Sequence, residues 1–438
     1  MQRQFPIEDY EDQIVDTVRK NQVVVIAAET GAGKSTKVPM MLYTAGIDED
    51  RMIAVTQPRR VAAMTLATWV AESDGSELGD LVGYHIRGES RLSNETMIKY
   101  MTEGILLAEL HSDPELRRYS VIVVDEAHER GVNQDLLLAL LKNVMQKRKD
   151  LKLVIMSATI DEDRFSKHFD NCPVIKVPGR VFPVEVRYAS NESDLRRIVE
   201  VCAERVIEIL NGREPGDILV FMPDENTIKE TCKKIEEKMP DGVMVFPLYG
   251  TQSPDEQREA LASRPQRRVI VATNIAETSL TIDCVVHVVD SGFIKQVRYV
   301  SATMSALEIA EHSKAGCDQR KGRAGRTQAG ICHRMFTRGD FDERDGFTKP
   351  EILRMSLDQV LLHLRCLNYS MDEILALEFM DAPGEKRWRE AEAILKMLGC
   401  IDENDDVSPV GQRIERLKVA PMLGRMLLES EKYGCVDE

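Results

Sequence analysis

The chain has 438 residues, 43% of them hydrophobic and 30% charged, with a formal net charge of −15. That is too long for one ordinary hydrophobic core, so about two to four globular domains are expected. The acid excess excludes a protein that grips nucleic acid with its whole surface, while leaving room for a narrow basic track. No apolar run approaches the roughly 18 residues that span a bilayer. Met1–Pro6 carries no apolar stretch of signal-peptide type. The expected location is therefore cytoplasmic, or nuclear in a eukaryote, with no membrane partner. Even the closest two of the nine cysteines, Cys317 and Cys332, are fifteen residues apart. They form neither a metal knuckle nor a disulfide framework and read as small buried hydrophobes.

Short β-branched runs alternate with amphipathic stretches to about residue 335, the pattern of wound parallel sheets. The first predicted strands are Val23–Ala28, Met52–Thr56, Val121–Val124 and Leu153–Met156. Val177–Pro183 predicts a linker or the first edge strand of a second α/β unit. In that unit Ile218–Met222, Val243–Pro247, Val269–Ala272 and Val285–Val289 read as strands. Val297–Ile309 has the alternation of a hairpin. Beyond about residue 338 the strands cease. Ile352–Asn368, Arg387–Leu398 and Pro409–Tyr433 have helical period, with room for a wing at Ile401–Val407. Met422–Glu438 reads as a helix that needs something to pack on.

The chemistry starts where the first run ends, at Glu29–Thr36. Gly31 and Gly33 let the backbone form a nest for phosphate oxygens, Lys34 reaches the terminal phosphates, and the Ser35 hydroxyl can ligate Mg²⁺. The strict pattern would open on glycine at position 28, where Ala28 stands. Alone, the loop therefore reads as a nucleoside triphosphate site or as a chance Gly-rich turn. Val121–Val124 runs into Asp125-Glu126-Ala127-His128. Two carboxylates closing a buried strand suit Mg-nucleotide hydrolysis, Asp125 on the metal and Glu126 on the attacking water; the alternative is an acidic helix start. Gln319–Arg326 spaces three arginines across two glycines. Arg323 and Arg326 can neutralise a γ-phosphate in the transition state, grip a nucleic-acid backbone, or form a plain basic turn. Ser157-Ala158-Thr159 places hydroxyls at another strand end, and Thr102-Glu103-Gly104 suits a helix start that touches phosphate. Ala272–Asp283 is rich in hydroxyls and amides. Arg59-Arg60, Arg267-Arg268 and Arg320-Lys321 are basic clusters that read equally as a binding track or as solvated faces.

These blocks, with Thr56–Ala63 and Tyr100–Gly104, resemble in order and spacing the DEAH-box (DEAH/RHA) branch of superfamily 2 helicases, over essentially the whole chain. The resemblance implies two tandem RecA-like α/β domains, 1–178 and 179–338. ATP or another NTP and Mg²⁺ would lie between them, with single-stranded RNA, or DNA, across their tops. It further implies a winged-helix domain at 339–407 and the opening of a ratchet-like helical domain at 408–438. The family continues into further domains, so a fragment or shortened member is expected. Carried over by position, Gly31, Gly33, Lys34, Ser35 and Thr36 hold phosphate, Ser35 and Asp125 the metal, and Glu126 is the base. Gln319 positions water, and Arg323 and Arg326 are the fingers. His128, Ser157 and Thr159 couple hydrolysis to domain movement, while Arg59, Arg60, Thr102, Thr273, Asn274 and Thr278 contact the strand. The expected activity is 3′-to-5′ movement on a single strand, RNA ahead of DNA, with an activator protein as a further partner. The rival readings are an RNA-binding scaffold with weak ATPase and a P-loop NTPase of another class. Departures from the family stand at Ala32-Gly33-Lys34-Ser35 for Ser-Gly-Lys-Thr, Lys321 for alanine, and Leu261 near a phenylalanine. Trp69 replaces the arginine that stacks on the base; its indole either forms one wall for the base or packs on the core face of its helix.

Overall fold

The computed structural model describes residues 5–29, 31–47, 51–158, 162–179, 182–191, 194–212, 214–277, 282, 284–301, 304–326 and 328–435. The first sheet contains β1 (Val23–Ala28), β2 (Met52–Gln57), β3 (Val82–Ile86), β4 (Glu89–Arg91), β5 (Ile98–Thr102), β6 (Tyr119–Val124), β7 (Lys152–Ser157) and β8 (Val174–Val177). Their order is β4-β3-β5-β2-β6-β7-β1-β8, parallel except for the β3–β4 pair. Parallel strands need helical crossovers on both faces, which is why β1, β2, β6 and β7 are buried almost throughout and apolar in their middles. The same topology brings the C-terminal ends of β1, β2, β5, β6 and β7 to one edge. These ends carry the phosphate loop, Gln57, Thr102, Asp125 and Ser157.

A second parallel sheet is built from β9 (Val184–Tyr188), β10 (Asp217–Phe221), β11 (Val243–Leu248), β12 (Arg267–Ala272) and β13 (Val285–Asp290). After the antiparallel hairpin β14 (Phe293–Ser301) and β15 (Met304–Glu311), β16 (Gly330–Arg334) completes it, in the order β11-β12-β10-β13-β16-β9. The chain is thus α/β, with two tandem RecA-like parallel-sheet units followed by a helical region. Val177 closes the first sheet and β9 is the edge of the second. The segment between them is a connection, of which Arg180 and Val181 lie outside the described residues.

Beyond the second sheet, helices run Asp358–Cys366, Met371–Ala376, Glu385–Met397, Pro409–Leu417 and Pro421–Tyr433, with one bridge, Ile401 to Val407. The single helix expected over Pro409–Tyr433 is two, because Lys418 turns left-handed (φ +53°) and Pro421 starts a new one. In the last helix Gly424 lies against Ile414, while Leu423 and Met426 stay exposed. Leu361, Trp388 and Ile414 share one apolar cluster with Leu137, Leu141 and Ile155, so the helical region is cored onto the first unit. The described cysteines are all free, and most are buried.

Two of the basic clusters are not a surface track. Arg268 is buried on Asp217, 2.6 Å from its carboxylate. Arg320 is fully buried between Glu277 (2.6 Å) and Asp290 (2.8 Å). Charges that deep must be paired; Asp217 and Asp290 stand at strand ends and Glu277 just after the short turn Asn274–Ala276.

Candidate active site

Gly31 (φ +90°) and Gly33 (φ +89°) take the left-handed conformation that turns β1 into the helix Lys34–Thr44. That helix has no side-chain cap, so its first N–H groups and positive dipole end face the space before the loop. The Thr36 hydroxyl donates to the Gly33 carbonyl, and Tyr100 donates to the Ser35 carbonyl at 2.8 Å, fixing the first turn. Lys34 is buried, its Nζ 3.4 Å from Glu126 Oε1.

Asp125 accepts from the Gln57 amide at 2.6 Å and from the Glu126 backbone N–H at 2.8 Å, and the Ser35 hydroxyl also reaches it. Burial, then the charge of Glu126, pushes the Asp125 carboxyl up. Burial alone would raise Glu126 too, but Lys34, His128 and Arg323 outweigh it and hold that carboxyl below the usual range. One neighbour is thus poised to protonate and the other stays ionised. Glu126 is left-handed, φ +50°, an uncommon state for a non-glycine residue. His128 Nδ1 accepts the Ala158 N–H at 3.2 Å, tying this turn to the end of β7, where Ser157 is buried. Thr159 lies outside the described residues.

The second unit supplies the opposite wall. Arg323 is buried; burial and the like charge of Arg326 depress its guanidinium, while Glu126 acts in the other direction. Both follow the helix Lys314–Lys321, in a turn. Half-buried Gln319 lines a 440 Å³ cavity with Arg59, Glu103, His128 and Asn274. Arg59 joins the two units: it donates to the carbonyls of Asn274 (3.4 Å) and Ile275 (2.9 Å) and pairs with Glu129 (3.5 Å). Arg60 is exposed and bonds the Arg87 carbonyl. Thr102 precedes the helix Glu103–Glu109 with no side-chain cap bond. Thr273 accepts from the Ile275 N–H, and Asn274 is exposed. Thr278 lies outside the described residues.

Trp69 is not a core residue. It is 37% exposed and meets Phe5 edge-on at 5.9 Å, with Lys37 Nζ 6.0 Å from its ring. Phe5 covers Gly33 so closely that a Cβ there would stand 2.7 Å from it. The pair therefore sits beside the phosphate loop. Leu261 packs on one core of the second unit.

Sequence reasoning missed three residues inside its own strings. Gln57 and Tyr100 serve Asp125 and Ser35, but no spacing rule says which side chain of a strand end turns toward a carboxylate. Glu103 is buried facing the charges of Glu129 and Asp125; burial first, then those charges, pushes its carboxyl to about 8. The folded chain therefore holds a proton there that the unfolded chain releases near 4.5, so Glu103 costs stability as pH rises between about 4.5 and 8. Glu103→Gln is expected to raise the melting temperature by an amount that grows over that window and levels off above pH 8. Thermal melts at pH 5, 7 and 8.5 measure it.

Residues 9–166 match the DEAD/DEAH box helicase family and residues 202–328 the helicase conserved C-terminal domain. This chain belongs to the DEAH-box helicases. The DEAH-box chain is 40% identical over 443 residues to the ATP-dependent RNA helicase HrpA of Escherichia coli, across 99% of its own length and 34% of that protein. The HrpA homolog of Haemophilus influenzae is likewise 40% identical, over 445 residues and the same shares. The chain spans about a third of the length of these curated relatives. The crystal structure of the Escherichia coli DEAH/RHA helicase HrpB superposes with a TM-score of 0.89 at 34% identity, covering 97% of this chain and 54% of that one. Among the described residues no helix is long and apolar enough to cross a membrane.

Proposed function

We propose that this chain hydrolyses ATP, and other NTPs, between its two sheet units and uses the energy to move 3′-to-5′ along a single strand, RNA in preference to DNA. The observation that carries the reading is the Lys34–Glu126 pair of the first unit, 3.4 Å apart, beside a cleft that Arg59 bridges to Asn274 and Ile275 of the second, with the charge of Arg323 lowering the Glu126 carboxyl. A cationic pair and a base meet only where the units face each other, as a γ-phosphate between them requires.

Phosphates would rest on the loop around Gly31 and Gly33 and on the N–H groups leading into Ser35 and Thr36. Lys34 would leave Glu126 for the terminal phosphates. Glu126, ionised at neutral pH, would then take the proton of a water held with Gln319. Arg323 and Arg326 would meet charge as it grows on the transferring group. Ser35 and Asp125, a hydroxyl and a carboxylate side by side, are the hard-oxygen set that Mg²⁺ takes and would hold it. That ion supplies charge neutralisation on the phosphates. Trp69, exposed next to the loop, would give the base one wall.

Arg59, placed across the cleft, is where closure would be felt by the strand-binding set of Arg60, Thr102, Thr273, Asn274 and Thr278. His128 and Ser157–Thr159 would relay it. The helical region divides on this reading into a winged-helix domain, 339–407, and the opening of a ratchet-like domain, 408–438, after sheet domains 1–178 and 179–338. That HrpA carries the name of an RNA helicase favours RNA.

Turnover compared across single-stranded RNA, single-stranded DNA and duplex at fixed salt tests the reading. Single-stranded RNA is expected to raise turnover at least about tenfold, an effect that shrinks as salt weakens phosphate contacts. Strand binding without stimulated turnover would instead leave a scaffold.

A further inference from the structure

The turn that carries Glu126 is held from outside its own unit. Glu126 and Arg130, four positions apart, are both left-handed (φ +50° and +49°), with a short 3₁₀ turn between them. Such a turn persists only where its surroundings over-determine it. Arg130 is buried, its Nε 2.6 Å and Nη2 3.2 Å from Asp135, and Nη2 also reaches Asp381 at 2.7 Å. Its carbonyl accepts the Glu351 N–H at 3.1 Å, while Glu351 Oε2 accepts the Val132 N–H at 2.9 Å. Gln134 closes the loop: Oε1 accepts the Arg130 N–H, and Nε2 donates to the carbonyls of Asp125 and Glu126. Asp135 and Gln134 belong to the first unit. Glu351 and Asp381 belong to the helical region.

We propose that Arg130 is a positioning residue for the Glu126 carboxylate, and that the helical region sets it through Asp381 and Glu351. Helical-region docking is then read directly at the base, so anything that shifts the region changes turnover. Charge drives the coupling. The buried guanidinium has Asp135 on one side, and Asp381 pulls its second nitrogen toward the helical region; without that pull, Arg130 and the turn behind it are free to settle toward Asp135 alone. The inference rests on the hydrolytic reading of Glu126.

The test is steady-state NTP turnover by this chain carrying Asp381→Asn, Glu351→Ala, Arg130→Lys or Arg130→Ala. Arg164→Ala serves as a control, because Arg164 reaches the same Asp381 carboxylate from its exposed side at 2.8 Å. Asp381→Asn and Glu351→Ala are expected to lower kcat about tenfold, with KM within about twofold and melting temperature within a few degrees of wild type. Arg130→Lys should retain more turnover than Arg130→Ala, and Arg164→Ala should match wild type. Unchanged kcat in both acidic-residue variants overturns the proposal, as does a fall in kcat that tracks a fall in melting temperature. A wild-type chain without turnover would instead remove the hydrolytic reading, and this inference with it.

Discussion

Glu126→Gln is expected to lower kcat by 10² to 10⁴, the usual contribution of a general base, while nucleotide still binds. The substitution keeps size and most hydrogen bonding but removes the carboxylate. Two consequences separate this base from a structural acid. Lys34 is held by Glu126 at 3.4 Å, so losing the charge frees Lys34 for phosphate, and KM should stay level or fall. The Glu126 carboxyl already lies below the usual range, so the acid limb of wild-type turnover should not come from it. Single-turnover kinetics and nucleotide binding measured side by side decide the matter. Robust RNA-independent hydrolysis surviving in the variant would sink the assignment.

Arg320→Ala and Arg323→Ala, three residues apart in one Gly-rich string, are expected to fail in opposite ways. Arg320→Ala leaves Glu277 and Asp290 buried without their shared cation. Breaking a buried pair in this way costs about 3–5 kcal/mol, so urea unfolding of the second unit should shift strongly. In the wild type, burial alone would raise Glu277, but Arg320 and then His312 bring its carboxyl to about 2. The pair's stability is therefore present above about 4.5 and lost as pH falls toward 2, a dependence that Arg320→Ala should flatten. Arg323→Ala should unfold like wild type yet lose about 10³ or more in kcat, as removing an arginine finger does. Equal unfolding of both variants would refute the division.

Strands buried on both faces were legible because a parallel sheet tolerates no polar side; β1, β6 and β12 show as plain apolar runs. The strands β3, β5, β9 and β16 were not legible. Val-Gly-Tyr-His-Ile and Gly-Ile-Cys-His-Arg carry too little periodicity, and Lys99 interrupts β5, where it is buried on Glu109 and Tyr119. The glycine turn after β1 and the Asp125-Glu126 strand end were legible for a related reason: a left-handed turn into a helix and a strand closing in carboxylates are local demands on backbone and residue type.

By itself, then, the sequence determined two wound sheets, a nucleotide loop, a candidate base, and arginines able to meet it. Tertiary structure separated the arginines of one string: Arg320 is buried on Glu277 and Asp290, at the end of β13, and is structural, whereas the charge of buried Arg323 is felt by Glu126 of the first unit. It also decided that Arg268 is core, that Trp69 stands exposed beside the loop, and that Arg130 is ion-paired with Asp381 of the helical region. A charge acquires its role from what it is buried against, and most of those partners stand dozens to hundreds of residues away in the chain.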